Sequence, residues 1–146
     1  VPVAWLQNLR GRPMIIKTLF WLALTTYHEA RGESDPGQKA VVKVILNRAK
    51  AKGWPVADIV KARKQFSCFN NGLKDPAVWI KDIQAFASVM ENVHDAHEEW
   101  LAGDTLHGAT HYYAIRGMVG NKPPYWAASM TFVMEVGNHR FLREGK

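Results

Sequence analysis

Apolar residues recur at helical spacing over the segment from Met14 to Tyr27, with few polar residues between them. Steps of three and four residues place the large side chains on one face, which predicts a buried helix. The members of that face are Ile15, Ile16, Leu19, Phe20, Ala23, Leu24 and Tyr27. Gly32 follows, and we expect it to end the helix in the left-handed conformation that glycine adopts without a Cβ penalty.

Two further helices are predicted where an acidic residue precedes proline. Asp35 is expected to cap a second helix over residues 36–52, with Gln38 at the capping-box position. Asp75 predicts the start of the longest helix, which runs to about Leu101. Its apolar stripe, in steps of three and four, consists of Trp79, Ile83, Phe86, Met90, Val93, His97 and Trp100.

The last third of the chain has the pattern of extended structure. Residues 108–114 are aromatic and flanked by glycine, which predicts a strand. Residues 131–136 and 139–142 flank a Gly-Asn pair, which predicts a β-hairpin. A brief alternating segment at residues 65–69 is a further candidate for extended chain. The order of helices first and strands last indicates an α+β protein.

The 146 residues suffice for one domain with a substantial core and are too few for two. We therefore expect a single α+β domain over residues 1–146, mainly helical with a small antiparallel β element, after an irregular lead-in over residues 1–13. The apolar run at residues 14–26 contains Lys17 and is too short to span a bilayer. It has no small-residue cleavage site after it, so we expect no signal peptide and no stable membrane insertion.

The formal net charge of +6 favours an anionic partner, such as nucleic acid, acidic lipid or a cell-wall polymer. The basic residues are scattered without a run of five, so we expect general surface attraction and no nucleic-acid groove. The single cysteine, Cys68, excludes an intramolecular disulfide. A free cysteine is more commonly a buried apolar residue than a nucleophile.

Glu29 is the first candidate for a catalytic residue. It is expected in the last turn of the first helix, where the helix macrodipole and apolar neighbours disfavour its charged form. Such an environment raises the pKa of a carboxyl, as a general acid requires. A salt bridge to Arg31 is the structural alternative, and it would pull that pKa back down.

A glycosidase with two carboxylates would need a second acidic residue beside Glu29. Most other acidic residues lie at predicted helix caps or off the apolar stripe of the long helix, which leaves Glu33 and Glu135. If Gly32 ends the first helix, Glu33 is not expected to lie close to Glu29. A mechanism with one indispensable carboxyl therefore suits the sequence better than an inverting or retaining pair.

A metal-dependent hydrolase is a further alternative, because His28 and Glu29 begin like the H-E-x-x-H zinc helix. Gly32 occupies the position of the second histidine, so that motif is incomplete. His111 and His139 could complete a site with His28, but three scattered histidines are a weak signal. We expect no metal and no other cofactor.

Several short motifs follow one another between residues 20 and 141. They are Tyr27-His28-Glu29-Ala30-Arg31-Gly32-Glu33, Gln38, Val44-Ile45-Leu46-Asn47-Arg48, Gln65-Phe66-Ser67-Cys68, Gly108-Ala109-Thr110-His111-Tyr112-Tyr113, Pro124 with Trp126, and Gly137 with His139 and Phe141. Together they resemble the catalytic domain of the SleB/CwlJ-type cell wall hydrolases. That family includes spore cortex-lytic enzymes and phage endolysins.

The resemblance implies cleavage of peptidoglycan between N-acetylmuramic acid and N-acetylglucosamine, commonly by a lytic transglycosylase, on a lysozyme-like fold. The family's catalytic glutamate falls on Glu29, which would act as acid and then as base. His28 is a departure, since family members usually have a small residue before that glutamate. We expect substrate binding by Tyr27, Gln65, Ser67, His111, Tyr112, Tyr113, Trp126 and His139.

The expected partner is bacterial peptidoglycan, and we expect a monomer. The absence of a separate wall-binding module favours a phage endolysin, made in the host cytoplasm and released to the periplasm or wall. Three alternatives stay open: a lysozyme-like muramidase with Glu33 as second carboxylate, a non-catalytic wall-binding domain with the same cleft, and a metal-dependent amidase or peptidase.

Overall fold

The computed structural model describes residues 13–62, 82–116, 120 and 122–145. Within these residues, helices come first and strands last. The elements are α1 Pro13–Ala30, α2 Asp35–Lys52, α3 Val56–Lys61, α4 Ile83–Leu101, β1 His111–Ala114, β2 Met130–Val136 and β3 His139–Glu144, with 3-10 turns at Leu106–Gly108 and Tyr125–Ser129. The α+β class, mainly helical with a small antiparallel sheet, is confirmed. The predicted segment 65–69 and the predicted cap Asp75 lie outside the described residues.

The second half of α1 supplies the largest side chains of the core. Leu22 and Tyr27 are fully buried there, among side chains of α2, α3 and α4. Ile16 and Phe20, predicted on the buried face, are instead 48% and 46% exposed. The buried positions of α1 concentrate towards its C-terminal end, which anchors that end firmly. No helix in the described parts of the chain is long and apolar enough to cross a bilayer.

The start of α2 differs from the prediction in its capping residue. Ser34, and not Asp35, is the N-cap, because its hydroxyl accepts a hydrogen bond from the backbone N–H of Gly37 at 3.3 Å. The Asp35 carboxylate accepts a hydrogen bond from the side chain of Asn92 on α4, at 2.9 Å. At the other end, Gly53 has a φ of 67°, the left-handed conformation that ends α2.

The longest helix in the described residues, α4, begins at Ile83, whereas the sequence predicted a start at Asp75. Asp82 has extended backbone angles and caps the helix, accepting a hydrogen bond from a first-turn N–H at 3.0 Å. Ile83, predicted in the core, is 77% exposed at that end. The buried face of α4 is centred on Val89 and Val93, which pack against α1 and α2.

The three strands form an antiparallel sheet in the order β1-β3-β2. The predicted hairpin is confirmed, with residues 137–138 joining β2 to β3. Tyr112 pairs with Phe141, which is fully buried against the helices, so these two residues mark the core face. Tyr113 pairs with Arg140 on the opposite, outer face, because successive side chains of a strand alternate.

Candidate active site

Glu29 lies in the last turn of α1, which ends at Ala30. The prediction that Gly32 ends the helix in a left-handed conformation is wrong, since Gly32 has no positive φ. The chain instead turns through a hydrogen bond from the Glu33 N–H to the Ala30 carbonyl at 2.9 Å. This tight turn keeps the residues after α1 beside its last turn.

A cavity of about 680 Å³ opens beside Glu29. Its walls come from two regions that are far apart in the sequence. The lining residues are Glu29, Ala30, Gly32 and Glu33 from the end of α1, and Ile115, Arg116, Gly137 and Asn138 from the end of β1 and the β2–β3 turn. The cavity therefore lies at the junction of the helical part with the sheet.

Hydrogen bonds fix the turn that forms the sheet side of this cavity. The backbone N–H of Asn138 donates to the Glu33 carboxylate at 3.4 Å. The carbonyl of Asn138 accepts from the N–H of Ile115 at 2.7 Å, and its side-chain oxygen accepts from the N–H of Arg116 at 2.8 Å. Asn138 thus connects the end of β1 with Glu33 in the turn after α1.

Glu29 and Glu33 line the same cavity, so the expectation that the turn separates them is wrong. The turn after Ala30 folds back, and Glu33 is brought to the cavity without a continuous helix. The Glu33 carboxylate is mostly buried, and one of its oxygens lies 3.4 Å from Nδ1 of His139. By contrast, Glu135, the other candidate second carboxylate, is exposed and forms an ion pair with Arg140 at 3.2 Å.

His139 is a buried residue on the core face of the sheet, 6% exposed. Burial lowers the pKa of its imidazole, and the nearby carboxylates of Glu33 and Glu29 oppose that shift only in part. Its Nδ1 lies within ion-pair distance of Glu33 but makes no hydrogen bond of good geometry in the described residues. We interpret the imidazole as neutral, and its contact with Glu33 as packing beneath the cavity and not a salt bridge.

We expect the free energy of unfolding to fall on acidification, in part through His139. The unfolded chain takes up a proton near the ordinary histidine pKa of about 6.5. Folded His139 has a lowered pKa, so between the two pKa values the unfolded state binds more protons. The stability contribution is therefore complete above about pH 6.5 and is lost as the pH falls towards the folded pKa.

Urea denaturation at about pH 7.5 and about pH 5 measures this effect through the difference in unfolding free energy. His139→Gln is expected to shrink that difference. The matched control is His94→Gln, on a partly exposed side chain of α4 beside Asp95. If His139→Gln and the wild type show the same change in unfolding free energy between the two pH values, the interpretation is wrong.

The predicted sugar-binding aromatic residues divide between the two faces of the sheet. Tyr112 lies on the core face, with its ring centroid 5.0 Å from that of His139. His111 and Tyr113 lie on the outer face, where their rings are 5.4 Å and 6.0 Å from the ring of Trp126. Burial and the nearby Arg48 guanidinium lower the pKa of His111. The structure therefore forms two clusters from these residues, not one.

Tyr27 does not fit the prediction of a substrate contact, because its side chain is 0% exposed. Its hydroxyl accepts hydrogen bonds from the Arg31 guanidinium at 3.0 Å and from the backbone N–H of Asp82 at 3.1 Å. These bonds join the end of α1 to the start of α4. Gln65 and Ser67, the remaining predicted ligands, lie outside the described residues.

Gln38 is a site residue whose role the sequence pattern misassigned. Its side-chain N–H donates to the carbonyls of Ala30 at 3.2 Å and Arg31 at 3.4 Å, and its oxygen accepts from Asn92 at 2.8 Å. Gln38 and Asn92 are both buried. The Ala30 carbonyl already accepts from the Glu33 N–H, and the Gln38 amide adds a second donor to it and one to the Arg31 carbonyl. These bonds satisfy carbonyls at the end of α1 and hold the turn next to Glu29. No local pattern reveals it, since Asn92 is distant in sequence.

The three-histidine metal hypothesis has no geometric support here. Among the described residues, no three His, Cys, Asp or Glu side chains lie together in a way that could hold a metal ion. His111 and His139 are on opposite faces of the sheet, which keeps them from sharing an ion with His28.

The fold is similar to that of two solved catalytic domains. One is the catalytic domain of the germination-specific lytic transglycosylase SleB from Bacillus anthracis, with a TM-score of 0.66 and 23% identity over 86% of this chain and 93% of that chain. The other is the catalytic domain of the Bacillus cereus SleB protein, with a TM-score of 0.63 and 24% identity over 86% and 89%. At 23% and 24% identity, the structural similarity shows that this chain shares the fold of these domains. No curated protein matches the chain.

The family model that matches this chain describes cell wall hydrolases, which are enzymes that degrade the cell wall. The chain belongs to the cell wall hydrolase family, whose model matches residues 32–142. The match includes Glu33 and the β2–β3 turn, and it begins after Glu29. The family match therefore does not extend to Glu29, whose observed feature is its place in the cavity.

Proposed function

We propose that the chain is a lytic transglycosylase that cleaves the bond between N-acetylmuramic acid and N-acetylglucosamine, with Glu29 as acid and then base. One observation carries the proposal. Glu29 lines the cavity at the junction of helices and sheet, in the last turn of α1. Among the described residues of that cavity, Glu33 is the second carboxylate, and it accepts a hydrogen bond from the Asn138 N–H. The transglycosylase named among the structural neighbours supports the same reaction.

The reaction balances with one carboxyl group. Protonated Glu29 donates its proton to the glycosidic oxygen as the bond from that oxygen to C1 of the muramic residue breaks. The muramic C6 hydroxyl oxygen then bonds to C1, and its proton returns to the Glu29 carboxylate. The products are an N-acetylglucosamine end and a 1,6-anhydromuramic end, and no water is consumed.

A lysozyme-like muramidase is the second candidate, because Glu33 lines the same cavity as Glu29. An inverting enzyme needs its two carboxyl groups roughly 6.5–9.5 Å apart, with room for a water, and a retaining enzyme about 5–5.5 Å apart. In the proposed function Glu33 neither activates a water, as in an inverting enzyme, nor acts as a nucleophile, as in a retaining one. Its oxygens face the Asn138 N–H and the His139 ring, so it positions the β2–β3 turn.

Digestion of purified peptidoglycan in heavy-oxygen water separates these candidates. Intramolecular closure incorporates no solvent oxygen, so we expect unlabelled muramic ends whose mass is lower by one water than that of the hydrolysis product. A hydrolytic muramidase acting on the same walls serves as the positive control for labelling. Quantitative label at the cleaved ends would assign a hydrolase, and a failure to release any soluble product would assign a wall-binding domain.

The substrate contacts are also proposals. Arg116 and Asn138 line the cavity and would contact a bound sugar, whereas Tyr112 packs against His139 on the core face and would support the site from behind. Gln65 and Ser67 remain predictions of the sequence. The assignment to a phage endolysin and the monomeric state also remain predictions.

A further inference from the structure

We propose that the outer face of the sheet carries a second, non-catalytic site that binds a peptidoglycan glycan strand. The site is a groove of about 500 Å³, here called the outer groove. It is lined by Tyr113, Lys122, Pro123, Pro124, Tyr125, Ala127, Ala128, Met130, Phe132, Arg140 and Leu142. The inference rests on the peptidoglycan substrate of the proposed function, but not on which product the cleavage forms.

The outer groove is separate from the Glu29 cavity because the sheet lies between them. Arg140 follows His139 directly in β3, so their side chains face opposite sides. His139 faces Glu33 and the active-site cavity, whereas Arg140 lines the outer groove together with Tyr113. A polymeric substrate can occupy both places with different parts of the strand or with two strands.

The aromatic side chains of the outer groove suit a sugar. Tyr125 is 94% exposed and Phe132 is 48% exposed, so both rings are open to solvent. Pro124 precedes the 3-10 turn that begins at Tyr125, and its ring restricts the backbone there. An exposed, amphipathic ring on a restricted backbone offers an apolar stacking surface at little entropic cost. Exposed apolar patches of this kind often mark binding grooves.

The charges of the outer groove select an anionic strand. Among the described residues of the lining, Lys122 and Arg140 carry a charge, and both are basic. The Arg140 guanidinium lies 4.5 Å above the centre of the Phe132 ring and is paired with Glu135 at 3.2 Å, which holds it at the groove. Peptidoglycan presents apolar sugar faces for the rings and stem carboxylates for the cations. A neutral polysaccharide would use only the rings.

Sedimentation with purified cell walls tests the proposal, with the Glu29→Gln variant as parent chain. Tyr125→Ala is expected to weaken wall binding about tenfold, the scale of one exposed aromatic anchor. Lys122→Gln is expected to weaken it by a smaller factor, and the loss should shrink at high salt. The matched controls remove a half-exposed aromatic residue, Trp54→Ala, and an exposed cation, Lys17→Gln.

The outcomes separate this site from general adhesion. Retained binding by the two controls, together with competition by soluble glycan fragments that keep their stem peptides, supports the proposal. Equal losses in Tyr125→Ala and Trp54→Ala, or wild-type binding by Tyr125→Ala, would overturn it. Equally strong, Tyr125-dependent binding to anionic lipid vesicles would assign the groove to a membrane surface instead. Because binding is read without product analysis, a hydrolase result in heavy-oxygen water leaves this inference standing.

Discussion

Replacement of Glu29 by glutamine is expected to lower peptidoglycan turnover by at least ~10²-fold, the usual scale of general acid catalysis. Glutamine keeps the size of the side chain and removes the proton that the glycosidic oxygen must receive. The fold should remain intact, since glutamine has the same shape as glutamate and Glu29 is only partly buried. The measurement is the initial rate of release of soluble products from purified walls, with thermal unfolding as the check on folding.

Two further substitutions control this experiment. Glu98→Gln removes an exposed carboxylate of α4 and should leave the rate unchanged. Glu33→Gln should lower the rate of product release less than Glu29→Gln does, because the amide oxygen can still accept the hydrogen bond from the Asn138 N–H. A loss in Glu33→Gln equal to that of Glu29→Gln would contradict the single-carboxyl mechanism and support the muramidase.

The Gly137→Ala substitution is expected to have the largest effect on stability and also to reduce cleavage. Gly137 has a φ of +57°, which costs an L-residue about 1–2 kcal/mol. A Cβ there would also lie 2.7 Å from a carboxylate oxygen of Glu33, so the turn or Glu33 must move. The crowded atom is the end of a flexible side chain, so Glu33 can shift, but it then loses its hydrogen bond from the Asn138 N–H. That loss adds about 0.5–1.5 kcal/mol and displaces one wall of the Glu29 cavity.

Gly53→Ala is the matched control for the backbone cost, because Gly53 has a similar φ of +67° and nothing within 4 Å of an added Cβ. Gly32→Ala should be nearly neutral, since Gly32 has neither a positive φ nor a close neighbour. Urea unfolding of the three variants separates the cost of the positive φ from the cost of crowding against Glu33. Equal losses in Gly137→Ala and Gly53→Ala would refute the close approach of the turn to Glu33.

Local patterns predicted the elements of this protein well where the physics is local. The apolar spacing of α1, the Gly-Asn turn between β2 and β3, and the glycine end of α2 each depend on neighbouring residues alone. Where two local signals compete, as at the start of α2, the predicted capping residue was wrong. Ser34 and Asp35 can both cap a helix, and the contact of Asp35 with Asn92 leaves Ser34 as the cap.

The sequence by itself determined the class of fold, the helix that carries Glu29 and the small number of carboxylates that could act with it. Tertiary structure alone decided which residues share a cavity. Glu33 and Asn138 are 105 positions apart, and Gln38 and Asn92 are 54 apart, so no local pattern joins them. The division of Tyr112 and Tyr113 between two faces follows from strand alternation, but only the pairing with β3 shows which face meets Glu29.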